Sequence, residues 1–169
     1  MKPRVYIILL LMIVPFQASF LELLSLRGIT PDAALALLYC IGLLTGPVEA
    51  ALAGMVLGVV QDISSASFIG FSGFLRGLIG LAAGVLGRHV LDLSSPSNIL
   101  FITVFSLVES VFIALFLEVS QGSVPFFSMF FTRMIPGALF TGVFGYFLLT
   151  LVSRKGMLQF LKRRALLQE

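Results

Sequence analysis

Charge is scarce in this chain: 11 Lys and Arg and 8 Asp and Glu make up 11% of 169 residues, where soluble domains carry roughly a quarter. Together with 59% hydrophobic residues and a mean hydropathy of +1.10, this excludes a soluble globular domain and points to an integral membrane protein. Cysteine is nearly absent. Cys40 stands alone in an apolar run, which excludes a disulfide framework or thiolate cluster and leaves a buried, inert thiol. Histidine is as sparse. His89 follows Arg88 at an expected helix end, where the C-terminal dipole accounts for it, and with no second histidine and no HExxH a zinc site lacks ligands. There is no phosphate-binding loop, and the glycines follow helical spacing rather than a strand-to-helix turn. No cofactor, metal or catalytic group is expected, and the chain reads as a non-enzyme. A net charge of +3 and a pI near 9.4 would suit a nucleic-acid binder. The basic residues, however, cluster at the chain ends and helix flanks, as membrane orientation signals do, so no nucleic-acid partner is expected.

What is present is a succession of apolar segments at about 5–24, 31–45, 47–62, 70–91, 97–119 and 124–152, separated by turn residues such as Arg27-Gly28, Thr45-Gly46-Pro47 and Ser94-Ser95-Pro96. They predict an all-α membrane protein with six transmembrane helices over 1–152 and a basic tail over 153–169. The start Met1-Lys2-Pro3-Arg4 could open a secretory signal, but Phe16-Gln17-Ala18 lacks the small residue that cleavage needs, so the first segment is expected to stay as a span. Thr30-Pro31-Asp32 predicts a helix start with a hydroxyl cap, a proline at the first helical position and an acid near the positive dipole end. Segments two and three are short for a hydrocarbon core roughly 30 Å thick, which predicts a tight hairpin broken at Gly46-Pro47. The last segment is too long for one span; Arg133 and Pro136-Gly137 interrupt it, predicting an interfacial stretch at 123–131 and a span from about Thr132 to Val152.

Small residues recur at spacing four: Ala50, Gly54 and Gly58, then Gly73 with Gly77 and Gly80 with Gly84. Such stripes let helix backbones approach closely in lipid, either against each other or as a groove for a partner's helix. Charges within apolar segments are costly and need a reason. Asp62 ends one helix and Arg76 lies about two turns into the next from the same face, which predicts a salt bridge between them or a contact for a partner. Glu109 falls near the middle of the fifth segment, either protonated and bonded to Ser106 or a neighbouring helix, or marking a functional cavity. Glu22, Arg27, Asp32, Glu118 and Arg133 are expected toward the same outer face as Asp62 and Arg76.

Pro31-Asp32, Gly46-Pro47, Gly54, Gly58, Gln61-Asp62, Gly70 and the glycine-spaced fourth segment give the chain a resemblance, over nearly its whole length, to the MreD family of bacterial rod shape-determining membrane proteins. The resemblance implies a scaffold in the inner membrane that binds MreC and helps couple MreB filaments to peptidoglycan synthesis by a glycosyltransferase and transpeptidase pair. It also implies a fold similar to the six-helix substrate-binding subunits of energy-coupling-factor transporters. That likeness supplies an alternative, a small-molecule-binding transporter subunit with Asp62, Arg76 and Arg133 around an outer cavity, although the first segment lacks the Ala-xxx-Ala stripe such subunits use for docking. Under the scaffold expectation, partner-binding candidates are Gly54, Gly58, Asp62, Gly70, Gly73, Arg76 and Gly77, while Asp32, Glu109 and Arg133 are structural or cavity charges. The tail residues Leu158, Leu161 and Leu166 with Lys162, Arg163 and Arg164 suit a short amphipathic helix on anionic lipid.

With a cytoplasmic N-terminus, six spans place eight basic residues inside (Lys2, Arg4, Arg88, Arg154, Lys155, Lys162, Arg163 and Arg164) and only Arg27 outside. The positive-inside rule selects that topology. In intact cells carrying Cys40→Ser, an impermeant thiol reagent should then label a cysteine placed at Ser67 and spare one placed at Gln168; labelling at 168 overturns the topology.

Overall fold

Among the described residues every helix but the first leaves apolar side chains on its outer surface, and that distribution sets the terms on which the fold is held together. The computed structural model describes residues 29–64, 70–89, 95–122 and 126–154. Among them the elements are α1 (Ala33–Thr45), α2 (Pro47–Ser64), α3 (Phe71–His89), α4 (Ser97–Gln121), α5 (Phe126–Met129), a π-helical turn (Phe130–Met134) and α6 (Ile135–Arg154). The regular structure described is all helical. Two stretches, Ser97–Ser120 and Phe126–Leu151, are long and apolar enough to cross a membrane, and only 22% and 33% of an apolar 18-residue window in each is buried within the chain. The core helix of a soluble protein would be mostly enclosed. Leu100, Val104, Val108 and Phe112 on α4, and Leu139, Val143, Phe147 and Leu151 on α6, form outward rows at spacing four, the surface that lipid solvates at no cost. The first expected span, the 65–69 loop and the tail from 155 lie outside the described residues.

Helix α1 is the centre of the bundle. Its 13 residues reach only about 20 Å at 1.5 Å rise, yet Ala34, Leu35, Ala36, Leu38 and Tyr39 are completely buried. Small side chains on one flank and large ones on the other let α3, α6 and α2 close around it. Its cap differs from expectation. The helix begins at Ala33 with Asp32, not Thr30, as N-cap: Asp32 Oδ1 accepts from Leu35 N at 2.8 Å. A carboxylate three residues before an unpaired amide is well placed for that bond, and it adds the dipole's preference for an anion. At the other end Gly46, at φ 117°, is the single residue between α1 and α2, the tight break that Gly46-Pro47 predicted.

Helices α2 and α3 share the most extensive contact of the fold, and glycine makes it possible. A Cβ on Gly54 would fall on the Arg76 carbonyl, one on Gly58 on the Gly73 backbone, one on Gly80 on the Ala50 carbonyl and one on Gly84 on Pro47. Gly73 and Gly77 face Val59 and Met55, with a Cβ coming to 2.9 and 2.8 Å of their side chains. The groove for a partner helix is therefore not there: α2 and α3 fill each other's stripe.

The last segment also departs from expectation. No break separates an interfacial stretch from a span; helix runs from Phe126 to Arg154 through the π turn. Proline explains the extra residue. Pro136 has no amide hydrogen and its ring crowds the carbonyl four residues back, and widening the preceding turn, with Ile135 N–H donating to the Phe130 carbonyl, lets the helix continue past the proline.

Gly58→Leu should lower the melting temperature in detergent sharply, because the obstacle is backbone; overpacking costs about 1–3 kcal/mol where side chains can yield and more where they cannot. Leu78→Ala on the outward face of α3 should leave it within a few degrees of wild type. Equal tolerance of both substitutions would mean that the seam is not closed.

Candidate functional site: a buried ion cluster beside a cavity

One end of the bundle collects the start of α1, the end of α2, the start of α3 and the C-terminal half of α4, so residues far apart in sequence meet there. Arg76 lies on the α3 face that continues through Ile79 and Ala83, the face that packs into the α1 core. The close approach of α2 over the Arg76 carbonyl at Gly54 fixes the backbone from the opposite side. Its guanidinium is 1% exposed and bridges two other helices: Nη2 pairs with Asp32 Oδ2 at the head of α1, and Nε donates to Glu109 Oε1 on α4 at 2.7 Å. Glu109 is 4% exposed and Asp32 about a quarter. Moving such ions out of water costs several kcal/mol each, which only close, hydrogen-bonded partners offset.

The pair expected between Asp62 and Arg76 does not form as a direct contact. Asp62, itself 1% exposed, accepts from the Gly70 N–H at 2.8 Å and acts on Arg76 only from farther away. The reason is geometric. An acid at a helix C-terminus faces carbonyls that repel it, whereas the start of α3 offers unpaired amides. Gly70 adopts φ 104°, a conformation that side chains resist. The bond ties the end of α2 to the start of α3. Of the two partners considered for it, Glu109 takes the neighbouring helix rather than Ser106: the guanidinium of Arg76 on α3. It also lines a cavity, as the second expectation had it.

That cavity, about 300 Å³, is bounded by Asp32, Arg76, Glu109, Arg133, Gln61 and hydroxyls including Ser106 and Ser110. Arg133 is exposed at its rim, on the π turn. Asp62 is not part of the wall, so of the three charges expected around an outer cavity, Arg76 and Arg133 are brought to it and Asp62 is held instead at the Gly70 amide. Gly54, Gly58, Gly73 and Gly77 lie in the seam, and Gly70 at the turn.

Three buried polar residues went unnoticed in the sequence. Thr141 Oγ1 accepts from Asp32 N at 3.0 Å while donating to the Gly137 carbonyl at 2.9 Å, tying the head of α1 to α6. Tyr39 donates to Asn98 Oδ1 at 3.0 Å and joins α1 to α4 farther along. The available signal was a lone Asn and a lone Tyr in otherwise apolar helices, which must find partners when buried. Among the described residues no group of His, Cys, Asp and Glu could hold a metal ion.

Removing either side of a buried pair strands a charge, at about 3–5 kcal/mol. Arg76→Leu and Glu109→Leu should each destabilise the protein strongly in denaturant titrations, and the double variant should lose less than the sum by about 0.5–3 kcal/mol. Asp62→Asn combined with Arg76→Leu should be closer to additive; a larger coupling there than with Glu109 would contradict the observed pairing.

Compared with protein families, with curated proteins and with solved structures, the chain matches none.

Proposed function

We propose that this protein is a non-enzymatic scaffold of the bacterial inner membrane, of the MreD type, that binds MreC and helps couple MreB filaments to wall synthesis. One observation carries the reading: Asp32, Gly54, Gly58, Asp62 and Gly70, which carry the resemblance, converge on one packed unit around Arg76. A diffuse sequence pattern thereby acquires a common physical purpose. It makes a rigid α2–α3 hairpin, clamped to α1 and α4 by the ion cluster, that can present a fixed surface in the membrane.

Because the glycine seam is filled internally, the partner's helix meets the outward side of this hairpin. Phe74, Leu78, Leu81 and Val85 form an exposed apolar ridge along α3, next to Leu52, Met55 and Val56 on α2. A single-pass partner packing there exchanges lipid contacts for side-chain contacts, which in a bilayer are decided by fit.

The alternative, a small-molecule-binding transporter subunit, draws its support from the 300 Å³ cavity with its guanidinium and carboxylate walls. Physiology separates the two readings. Depletion in a rod-shaped host should give round cells with vitamin uptake unchanged, and MreC should co-purify in mild detergent. Leu78→Ala with Leu81→Ala should reduce recovered MreC several-fold without shifting the melting temperature. Unaltered shape after depletion, or tight binding of a vitamin by the purified protein, would favour the transporter reading instead.

A further inference from the structure

Arg76 has one donor nitrogen left over. Its Nε and Nη2 are engaged by Glu109 and Asp32, but Nη1 is buried with no hydrogen-bond partner among the described residues. A guanidinium N–H withdrawn from water and left unmatched is costly, and Arg76 stands on the wall of the cavity. So does Arg133, exposed at the rim on the π turn. The charges around the space balance: Arg76 and Arg133 against Asp32 and Glu109. An anion entering would meet two carboxylates, and a cation would meet two guanidiniums. A molecule carrying both signs avoids both conflicts. Its oxyanion can take hydrogen bonds from the guanidiniums while its ammonium faces Glu109 and the hydroxyls of Ser106 and Ser110. Beyond the charges the lining turns aliphatic at Ile113, Met129 and Met134, which suits a ligand with an apolar continuation.

We infer that this cavity binds a phosphate–ammonium zwitterion, the chemistry of a phosphatidylethanolamine headgroup, with the phosphate between Arg76 and Arg133. The same chemistry is offered by soluble phosphoethanolamine esters, and 300 Å³ sits at the lower end of small-ligand sites, roughly 300–1,000 Å³. The inference goes beyond the scaffold reading and rests on its membrane placement, not on MreC.

The test uses the full chain reconstituted in nanodiscs of equal phosphatidylethanolamine and phosphatidylglycerol, then released into detergent for native mass spectrometry. Wild type should retain phosphatidylethanolamine over phosphatidylglycerol by roughly tenfold, the scale of one hydrogen bond to a charged group. Arg133→Gln, at the exposed rim, should lower retention of phosphatidylethanolamine several-fold at unchanged melting temperature by removing a phosphate contact; Ser110→Leu, which fills the cavity, should abolish retention. Should Ser110→Leu fail to fold, Arg133→Gln still decides. Glycerophosphoethanolamine added in solution separates the sources: displacement of the lipid at comparable concentration identifies the free ester as ligand, and failure to displace it identifies the lipid. Either outcome supports the zwitterion site. Equal retention of the two lipids by wild type, or wild-type retention in Arg133→Gln, overturns it. MreC recovery measured on the same preparations shows whether the scaffold reading stands or falls separately.

Discussion

A single guanidinium shared between two carboxylates holds the described part of this protein in register. Arg76 reaches from α3 to the head of α1 and to the middle of α4, so three helices are pinned at one height. In lipid the helices gain little from burying apolar surface, because the bilayer solvates it equally well. What remains to choose one arrangement over another is close packing and polar pairing. Misplacing any of the three helices strands at least one ion where water cannot reach it, and that penalty makes the geometry specific.

The glycine seam is the other half of the same device. Without side chains at Gly54 and Gly58, the α2 backbone lies directly on that of α3, over Arg76 and Gly73. The arginine is thus backed by main chain and projects toward its partners with little freedom to retreat. Asp62 completes the unit by holding the Gly70 amide across the α2–α3 connection. Thr141 and Asn98 extend the polar framework to α6 and along α4, each by satisfying a group that would otherwise be buried alone. Outside this framework α2, α3, α4 and α6 turn apolar side chains outward, while the interior joins an apolar core around α1 to the few buried polar groups. The cavity belongs to the same end of the bundle: the π turn before Pro136 widens the helix at Arg133 and sets that residue at the rim.

Read alone, the sequence determined the class of the protein, the approximate limits of α1 to α4 and the fact that glycine stripes and isolated charges had to be accommodated. These are properties of single segments: hydropathy reports the solvent, spacing reports a face, and Gly46-Pro47 or Ser95-Pro96 reports a break. It also singled out Asp32, Asp62, Arg76, Glu109 and Arg133, because a charge in an apolar helix is conspicuous wherever it falls. Which charge met which was decided by tertiary structure. Asp62 and Arg76 looked like partners because they are near in sequence and share a face, yet Arg76 pairs with Asp32 and Glu109, 44 and 33 residues away. Periodicity fixes how residues are arranged around one helix axis but not the rotation and height of one helix against another, and both are set only when the glycine seam closes. The same limit hid Thr141 and Asn98, turned two glycine stripes into a single filled interface, and left the π turn to be settled by the conflict between Pro136 and the turn before it.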